Sequence, residues 1–325
     1  VIGGVCAAIG WAERNALAQP PAGAAAPSGQ RPAGGPGGGQ SSTRVPDSET
    51  HWAQMGVSLQ GRTALVTGST DGLGKEVARQ LASLGATVIV HGRNAERGDE
   101  VVRMIRAAGK GDAVFQRADF ASLAEVRAFA GAVSADHAGI DLLINNAAST
   151  GGERRESADG YELAFAVNYL AHFLLTHLLL PRLEANAPAR VVNVSSMGQT
   201  PIDFDDVMLE RKFDAGDAYR RSKLAQVMFT IDLAAKVDPS RVTITALHPA
   251  RSMNTARVIG GGFTPLSTVE EGAEAVMQLA VSPEVKGVTG VYFNQLKEAR
   301  ANAQAYDADA RAKLWALSTK LTGLA

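Results

Sequence analysis

Tyr219 and Lys223 stand four residues apart in the run Ala218-Tyr219-Arg220-Arg221-Ser222-Lys223-Leu224. On a helix of about 3.6 residues per turn, that spacing projects both side chains from one face. A phenol ionises near pH ~10, and an adjacent ammonium favours its phenolate, so Tyr219 could serve as a general acid–base. Two residues on a solvated helix face would show the same pattern, so the rest of the chain has to decide. Ser196, at the end of the apolar run Arg190-Val191-Val192-Asn193-Val194-Ser195-Ser196, could donate to a carbonyl oxygen on which negative charge develops. Asn168 lies in a long apolar segment, roughly 161–183, where an amide is either a satisfied core group or a polar fixture near a site. His172 and His177, in the same segment, read as structural. Neither Ser195 nor Ser196 sits in a Gly-x-Ser-x-Gly turn, which weighs against a serine hydrolase.

These groups need a frame, and the chain supplies one beginning at Thr63-Ala64-Leu65-Val66, a short apolar run expected to be a buried parallel strand. Thr67, Gly68, Ser69, Thr70, Gly72, Leu73 and Gly74 follow, and lead into Lys75-Glu76-Val77-Ala78-Arg79-Gln80-Leu81, where Leu73, Val77 and Leu81 recur at helical spacing. Glycines let the loop turn sharply and let backbone approach a pyrophosphate, whose charge meets the N–H groups at the helix start. Strand, glycine loop and helix together point to a dinucleotide cradle. The second strand, Thr87 to His91, ends in Gly92-Arg93-Asn94, with no carboxylate to bind a ribose 2′-hydroxyl. Gly92 leaves room and Arg93 offers a forked cation suited to phosphate, so NADP(H) is expected as cofactor, with NAD(H) as the alternative.

Further strand–helix units follow, with helices near 95–108 and 123–133 and strands at 113–116 and 142–144. Such alternation predicts an α/β fold, a parallel sheet with helices on both faces. Ligands of such sheets lie beyond the carboxyl ends of the strands. Asp119, with Phe120 beside it, is therefore expected at an adenine, and Asn146, Ala147 and Ala148, with Asn145, along the cofactor. The glycine-rich stretch 253–268 is expected to be a mobile segment over the substrate, the last helices are expected near 269–279 and 307–319, and a last strand is expected at 290–293.

Bulk properties narrow the class. With 32 Lys and Arg against 33 Asp and Glu, the chain has no field to recruit nucleic acid or an anionic membrane. Its one cysteine, Cys6, excludes an internal disulfide, and no Cys/His cluster has metal-ligand spacing, so a cytoplasmic, metal-free protein is expected. Residues 1–55 are rich in Gly, Pro and Ala and are expected to form a disordered extension, leaving one folded domain over 56–325. Val1 to Ala12 are apolar but too short to span a bilayer, so no stable membrane insertion is expected.

The ordered set Thr67-Gly68-x-x-x-Gly72-x-Gly74, Asn145-Asn146-Ala147, Asn168, Asn193-Val194-Ser195-Ser196, Tyr219-x-x-x-Lys223 and His248-Pro249 resembles the short-chain dehydrogenase/reductase family. Ile202-Asp203-Phe204-Asp205-Asp206, Gly287-Val288-Thr289-Gly290-Val291-Tyr292-Phe293 and Lys297-Glu298-Ala299-Arg300 resemble its retinol-dehydrogenase-like and protochlorophyllide-reductase-like branch. The resemblance implies a Rossmann-type doubly wound sheet of about seven strands. It also implies that Tyr219 is the acid–base, that Lys223 holds the nicotinamide ribose, that Ser196 polarises a carbonyl, and that Asn168 supports a water-linked proton relay. Pro249 would contact the cofactor, and Asn254 or Thr255 would serve its carboxamide. Two family glycines are replaced, by Ala148 and Ala250, and a left-handed backbone at Ala250 would distort its loop.

The expected activity is NADP(H)-dependent interconversion of an alcohol and a carbonyl on a small to medium apolar substrate, by a monomer or homodimer. Reduction of a carbon–carbon double bond is the alternative within enzymes. A cofactor-binding sensor or scaffold is the alternative outside them.

Overall fold

The computed structural model describes residues 48–150 and 152–324. The expected disordered extension lies outside the described residues as far as residue 47, but its last part differs from expectation. Ser48–Gln54 form a helix, α1, and Trp52 is 4% exposed against the same apolar cluster as Leu59, Leu81 and Leu84. Composition conceals this because one buried indole anchors a segment whose other residues are polar or small.

From there strands and helices alternate: β1 (Thr63–Val66), α2 (Gly72–Ser83), β2 (Thr87–Gly92), α3 (Ala95–Ala108), β3 (Asp112–Arg117), α4 (Leu123–Asp136) and β4 (Leu142–Asn145). Next, α5 (Leu163–Phe165) passes through a π-helical turn, Ala166–Leu170, into α6 (Ala171–Ala185). The second half comprises β5 (Ala189–Val194), α7 (Ala215–Ala234), β6 (Val242–His248), α8 (Ala256–Gly260), α9 (Val269–Val281), β7 (Val291–Asn294), β8 (Lys297–Glu298) and α10 (Ala308–Thr322). The sheet order is β3-β2-β1-β4-β5-β6-β7-β8, in which β1 to β7 run parallel and only β8 is antiparallel. The seven expected parallel strands are present, and the two-residue β8 is an addition too short to leave an alternating pattern. Winding reverses between β1 and β4, which opens a crevice beyond their carboxyl ends.

Period-two alternation sorts the strand residues into two cores. Leu65, Ile89, Leu143, Val191 and Ile244 face one side and pack with residues of α4, α6, α7 and α10. Ala64, Val66, Val88, Val90, Ile144 and Val192 face the other and pack with α2, α3 and α9. The helix Leu163–Ala185 is long and apolar enough to cross a membrane, yet 72% of its most apolar window is buried inside the protein. Its side chains fill the first core, where Trp315 of α10 meets Phe173 edge-on at 5.3 Å and the Tyr169 hydroxyl pairs with Ser318 Oγ at 2.7 Å.

Candidate active site

Where β1 ends, Gly68 (φ 64°) and Gly72 (φ 50°) take left-handed backbone that side chains rarely adopt. Space is as restrictive as conformation. A Cβ on Gly68 would lie 2.8 Å from Ala147 Cα, and one on Gly74 would lie 2.3 Å from the Gly68 carbonyl oxygen. Asp71 then caps α2, its Oδ1 accepting from Gly72 N at 2.7 Å. Thr67 and Ser69, expected at the cofactor, face inward instead. Thr67 Oγ1 accepts the N–H groups of Asn146 and Ala147 at 2.9 and 3.0 Å, while Ser69 Oγ donates to the Val66 carbonyl at 2.7 Å. They shape the cradle from behind because each is fully buried and has to satisfy its hydroxyl within the fold.

His91 escaped sequence reasoning. Its Nδ1 accepts from Gly68 N at 3.0 Å, so Nε2 carries the proton and donates to the Ala118 carbonyl at 3.2 Å. Burial pushes its pKa down to about 4, against the opposing pull of that carbonyl and of Asp119. A histidine ending a buried strand, directly before Gly92, was the available signal.

A cavity of about 550 Å³ opens over this loop. Gly68, Thr70, Gly72, Leu73, Gly74, Arg93, Asp119, Phe120, Asn146, Ala147, Ala148 and Thr255 all line it. Asn145 does not; its amide is buried between strands, donating to Thr176 Oγ1 at 3.0 Å and Asn193 Oδ1 at 2.8 Å. Arg93 Nη1 lies 3.6 Å from Asp119 Oδ2, and Arg97 Nη1, also at the cavity, lies 3.6 Å from Asp71 Oδ2. Arg97 is a second cation that sequence reasoning missed, although its place in the first turn of the helix that directly follows the strand end at Gly92 could have shown it.

The segment 253–268 contains α8 and is held at its base: Met253 bridges Ser267, and Leu266 N donates to the Ser252 carbonyl at 3.0 Å. Asn254 is not at the cavity, because its Oδ1 accepts from Val269 N at 2.8 Å; Thr255 next to it is. Pro249 and Ala250 are buried beyond β6 and are not among the cavity-lining residues. Neither Ala148 nor Ala250 needs left-handed backbone, which in this loop falls on Ser252 (φ 42°), so the replaced glycines do not distort it.

The residues expected to transfer the proton stand at the end of β5 and within α7. The Lys223 Nζ lies 5.6 Å from the Tyr219 ring centre and is buried, donating to the Val194 carbonyl at 2.8 Å and to Gln226 Oε1 at 2.9 Å. Asn168 sits in the π-helical turn, a distortion frequent at functional sites. Its Oδ1 accepts from Ser149 N at 2.6 Å, and its Nδ2 donates to the Ser149 carbonyl and to Ser222 Oγ, each at 2.9 Å. Ser149 lines the cavity and Ser222 Oγ donates to the Tyr219 carbonyl at 2.7 Å, so Asn168 ties the cavity wall to the helical turn bearing Tyr219. Ser196 follows β5; its Oγ accepts from Gly198 N at 3.0 Å, and its carbonyl accepts from the Tyr292 hydroxyl at 3.0 Å. Tyr292, unforeseen, is kept protonated chiefly by burial.

The family model described as short chain dehydrogenase matches residues 62–258. The chain belongs to the short-chain dehydrogenase family. It is 36% identical to human retinol dehydrogenase 14 over 294 residues, covering 82% of this chain and 88% of the relative. Mouse retinol dehydrogenase 13 is 37% identical over 286 residues, covering 82% and 86%. Among solved structures, an uncharacterised protein from Mycobacterium paratuberculosis superposes with a TM-score of 0.69 at 32% identity, covering 82% of this chain and 95% of that one. The RhlG/NADP active-site complex of Pseudomonas aeruginosa gives 0.61 at 27% identity, covering 73% and 95%.

As a short-chain dehydrogenase of retinol-dehydrogenase-like type, the protein is an NAD(P)-dependent oxidoreductase acting on CH–OH groups. Its cradle fits a dinucleotide on structural grounds, since the loop from Gly68 to Gly74, packed too closely on Ala147 and on itself to admit a Cβ at either glycine, borders the open cavity at the start of α2. The nucleotide would rest on the loop from Gly68 to Gly74, between Asp119 and Ala147.

Proposed function

We propose that this short-chain dehydrogenase interconverts an alcohol and a carbonyl on a small to medium apolar substrate, preferring NADP(H), with Tyr219 as the general acid–base. The observation that carries it is the buried Lys223 ammonium 5.6 Å from the Tyr219 ring, on a helical turn joined through Asn168 to the wall of the cofactor cavity. The nicotinamide, when bound, supplies or takes up the hydride. In reduction, Tyr219 gives its proton to the substrate oxygen while Ser196 Oγ donates a hydrogen bond to that atom. In oxidation, Tyr219 takes the proton back, and the neighbouring ammonium stabilises the phenolate.

Three features support the finer points. Arg93 and Arg97 together present two forked cations near Gly92, where a 2′-phosphate would need them. Met197, beside Ser196, and Ile259, Phe263 and Leu266, just past Thr255, are large exposed apolar side chains suited to an apolar substrate. The relatives named above are retinol dehydrogenases, whose named substrate is an apolar alcohol. We further assign the protein to the cytoplasm, on its single cysteine; recovery only in a membrane fraction released by detergent but not by salt would overturn that assignment.

The test is Tyr219→Phe, assayed with octanal and retinal against NADPH. Turnover is expected to fall by a factor of about 10²–10⁴, with NADPH binding, followed by fluorescence, unchanged. Wild-type turnover in the variant would refute the role of Tyr219.

A further inference from the structure

Lys223 is 2% exposed, and of the two oxygens described above one is a backbone carbonyl at the end of β5, the other the side chain of Gln226. An ammonium only donates, so Gln226 Oε1 has to face Nζ and its Nε2 has to face away. That Nε2 lies 3.3 Å from His172 Nδ1. The state of His172 follows from its other neighbours. Thr67 Oγ1 already accepts two backbone N–H groups, which leaves it a proton to give, with the Ile144 carbonyl at 3.3 Å and His172 Nε2 at 3.0 Å within reach. The Asn168 carbonyl, which only accepts, lies 2.9 Å from Nδ1, so Nδ1 carries the proton and Nε2 is left as the acceptor facing Thr67 Oγ1. Gln226 Nε2 and His172 Nδ1–H are both donors and make no hydrogen bond to each other; the ring, fixed through both of its nitrogens, meets the Gln226 amide as a packing stop that keeps its oxygen turned to Lys223.

We propose that Gln226 and His172 are positioning residues: a buried strut, anchored on Thr67 behind the cofactor loop and on the π-helical turn at Asn168, that fixes the Lys223 ammonium beside Tyr219. The strut rests on the acid–base role proposed for Tyr219. It links the strand end that shapes the cradle to the group that transfers the proton, through side chains that are not among those lining the cofactor cavity. Burial holds the His172 imidazole neutral, its pKa pushed down to about 3 with Lys223 acting in the same direction, and His91 behind it on β2 is likewise neutral. From β7, Tyr292 faces Tyr219 and Tyr306 and stays protonated, while Arg220 on α7 is turned to Asp217 at 2.6 Å. The ammonium is thus the charge that the strut sets in place.

The test is Gln226→Met, which keeps length and removes the oxygen, assayed by octanol oxidation with NADP⁺ as a function of pH. Loss of the acceptor should lower kcat by about tenfold and move the acid limb of the profile to higher pH, with nucleotide affinity within a factor of about three. His172→Phe should move the same limb in the same direction, and the double variant should lose less than the product of the two single losses. A merely structural role would lower the urea midpoint and leave the limb in place, and that result overturns the proposal, as does a product-sized loss in the double variant. Should Gln226→Met not fold, Gln226→Glu keeps the oxygen and offsets the ammonium, and is expected to raise the limb; an unmoved limb again overturns the proposal. Tyr219→Phe, run in parallel, separates the two ideas. If it is inactive while Gln226→Met behaves as wild type, the strut alone is wrong; if it retains wild-type turnover, the acid–base role itself falls.

Discussion

Gly74→Ala should cripple the cofactor cradle through one methyl group. The new Cβ would stand 2.3 Å from the Gly68 carbonyl oxygen and 2.5 Å from Asn146 Nδ2, where Cβ contacts under 3.0 Å essentially never occur. Relief requires the loop or α2 to move by about 0.7 Å or more against a fully packed neighbour. Overpacking of this kind costs about 1–3 kcal/mol, and the Asn146 bond to the Gly68 carbonyl, if displaced, about 1 kcal/mol more. Alanine recovers at most about 1 kcal/mol of helix propensity, so a net loss of about 1–3 kcal/mol is expected. Because the displaced loop and helix start carry the N–H groups that a pyrophosphate would approach, nucleotide affinity should fall at least about tenfold. Gly131→Ala in α4 is the matched control: a Cβ there meets nothing within 4 Å, and stability should rise by up to about 1 kcal/mol with binding unchanged. Urea unfolding and NADPH fluorescence titration read both variants. A Gly74→Ala protein with the wild-type urea midpoint and an affinity within twofold would refute the close-approach reasoning.

Other expectations concern pH, the first helix and nucleotide choice. The folded-state pKa values of His91 and His172 are lowered to about 4 and about 3 from 6.5, so below pH 6.5 only the unfolded chain takes up these protons. Stability is then fully present above pH 6.5 and falls on acidification, by up to about 1.4 kcal/mol per pH unit for each histidine; equal urea midpoints at pH 7.5 and 5.5 would contradict this. Trp52→Ala should cost about 3–5 kcal/mol, whereas Trp52→Phe should cost much less because the buried Nε1 has no hydrogen-bond partner; similar urea midpoints for the two would contradict the packing role. Arg93→Ser should weaken NADPH binding by about tenfold or more and leave NADH binding unchanged, with a second, smaller loss from Arg97→Ser; equal effects on both nucleotides in the titration would contradict a phosphate-reading role.

Much of the fold was legible because the central strands of the parallel sheet are buried on both faces and read as short apolar runs, while the helices carry their own start signals. Asn94 and Ser122 cap α3 and α4 through their side chains, and both helices begin where the pattern predicts. The site was legible where a motif is local, as in the glycine loop and Tyr219-x-x-x-Lys223. It was illegible where partners come from distant segments. Asn254 and Thr255 are adjacent, and only the fold turns one to cap α9 and the other to the cavity. His91, Tyr292, His172 and Gln226 carry no motif because their partners, at Gly68, Ser196, Thr67 and Lys223, are remote in sequence or shared with several segments.

Residue types and short-range spacing therefore determined the elements, the cradle and the pairing of Tyr219 with Lys223 on one helix face, since backbone conformation and helical projection act over a few residues. Tertiary structure decided which polar groups serve the site and which hold it up. A buried hydroxyl, amide or imidazole has to find its hydrogen-bond partner wherever packing brings one, and that choice is made across the whole sheet.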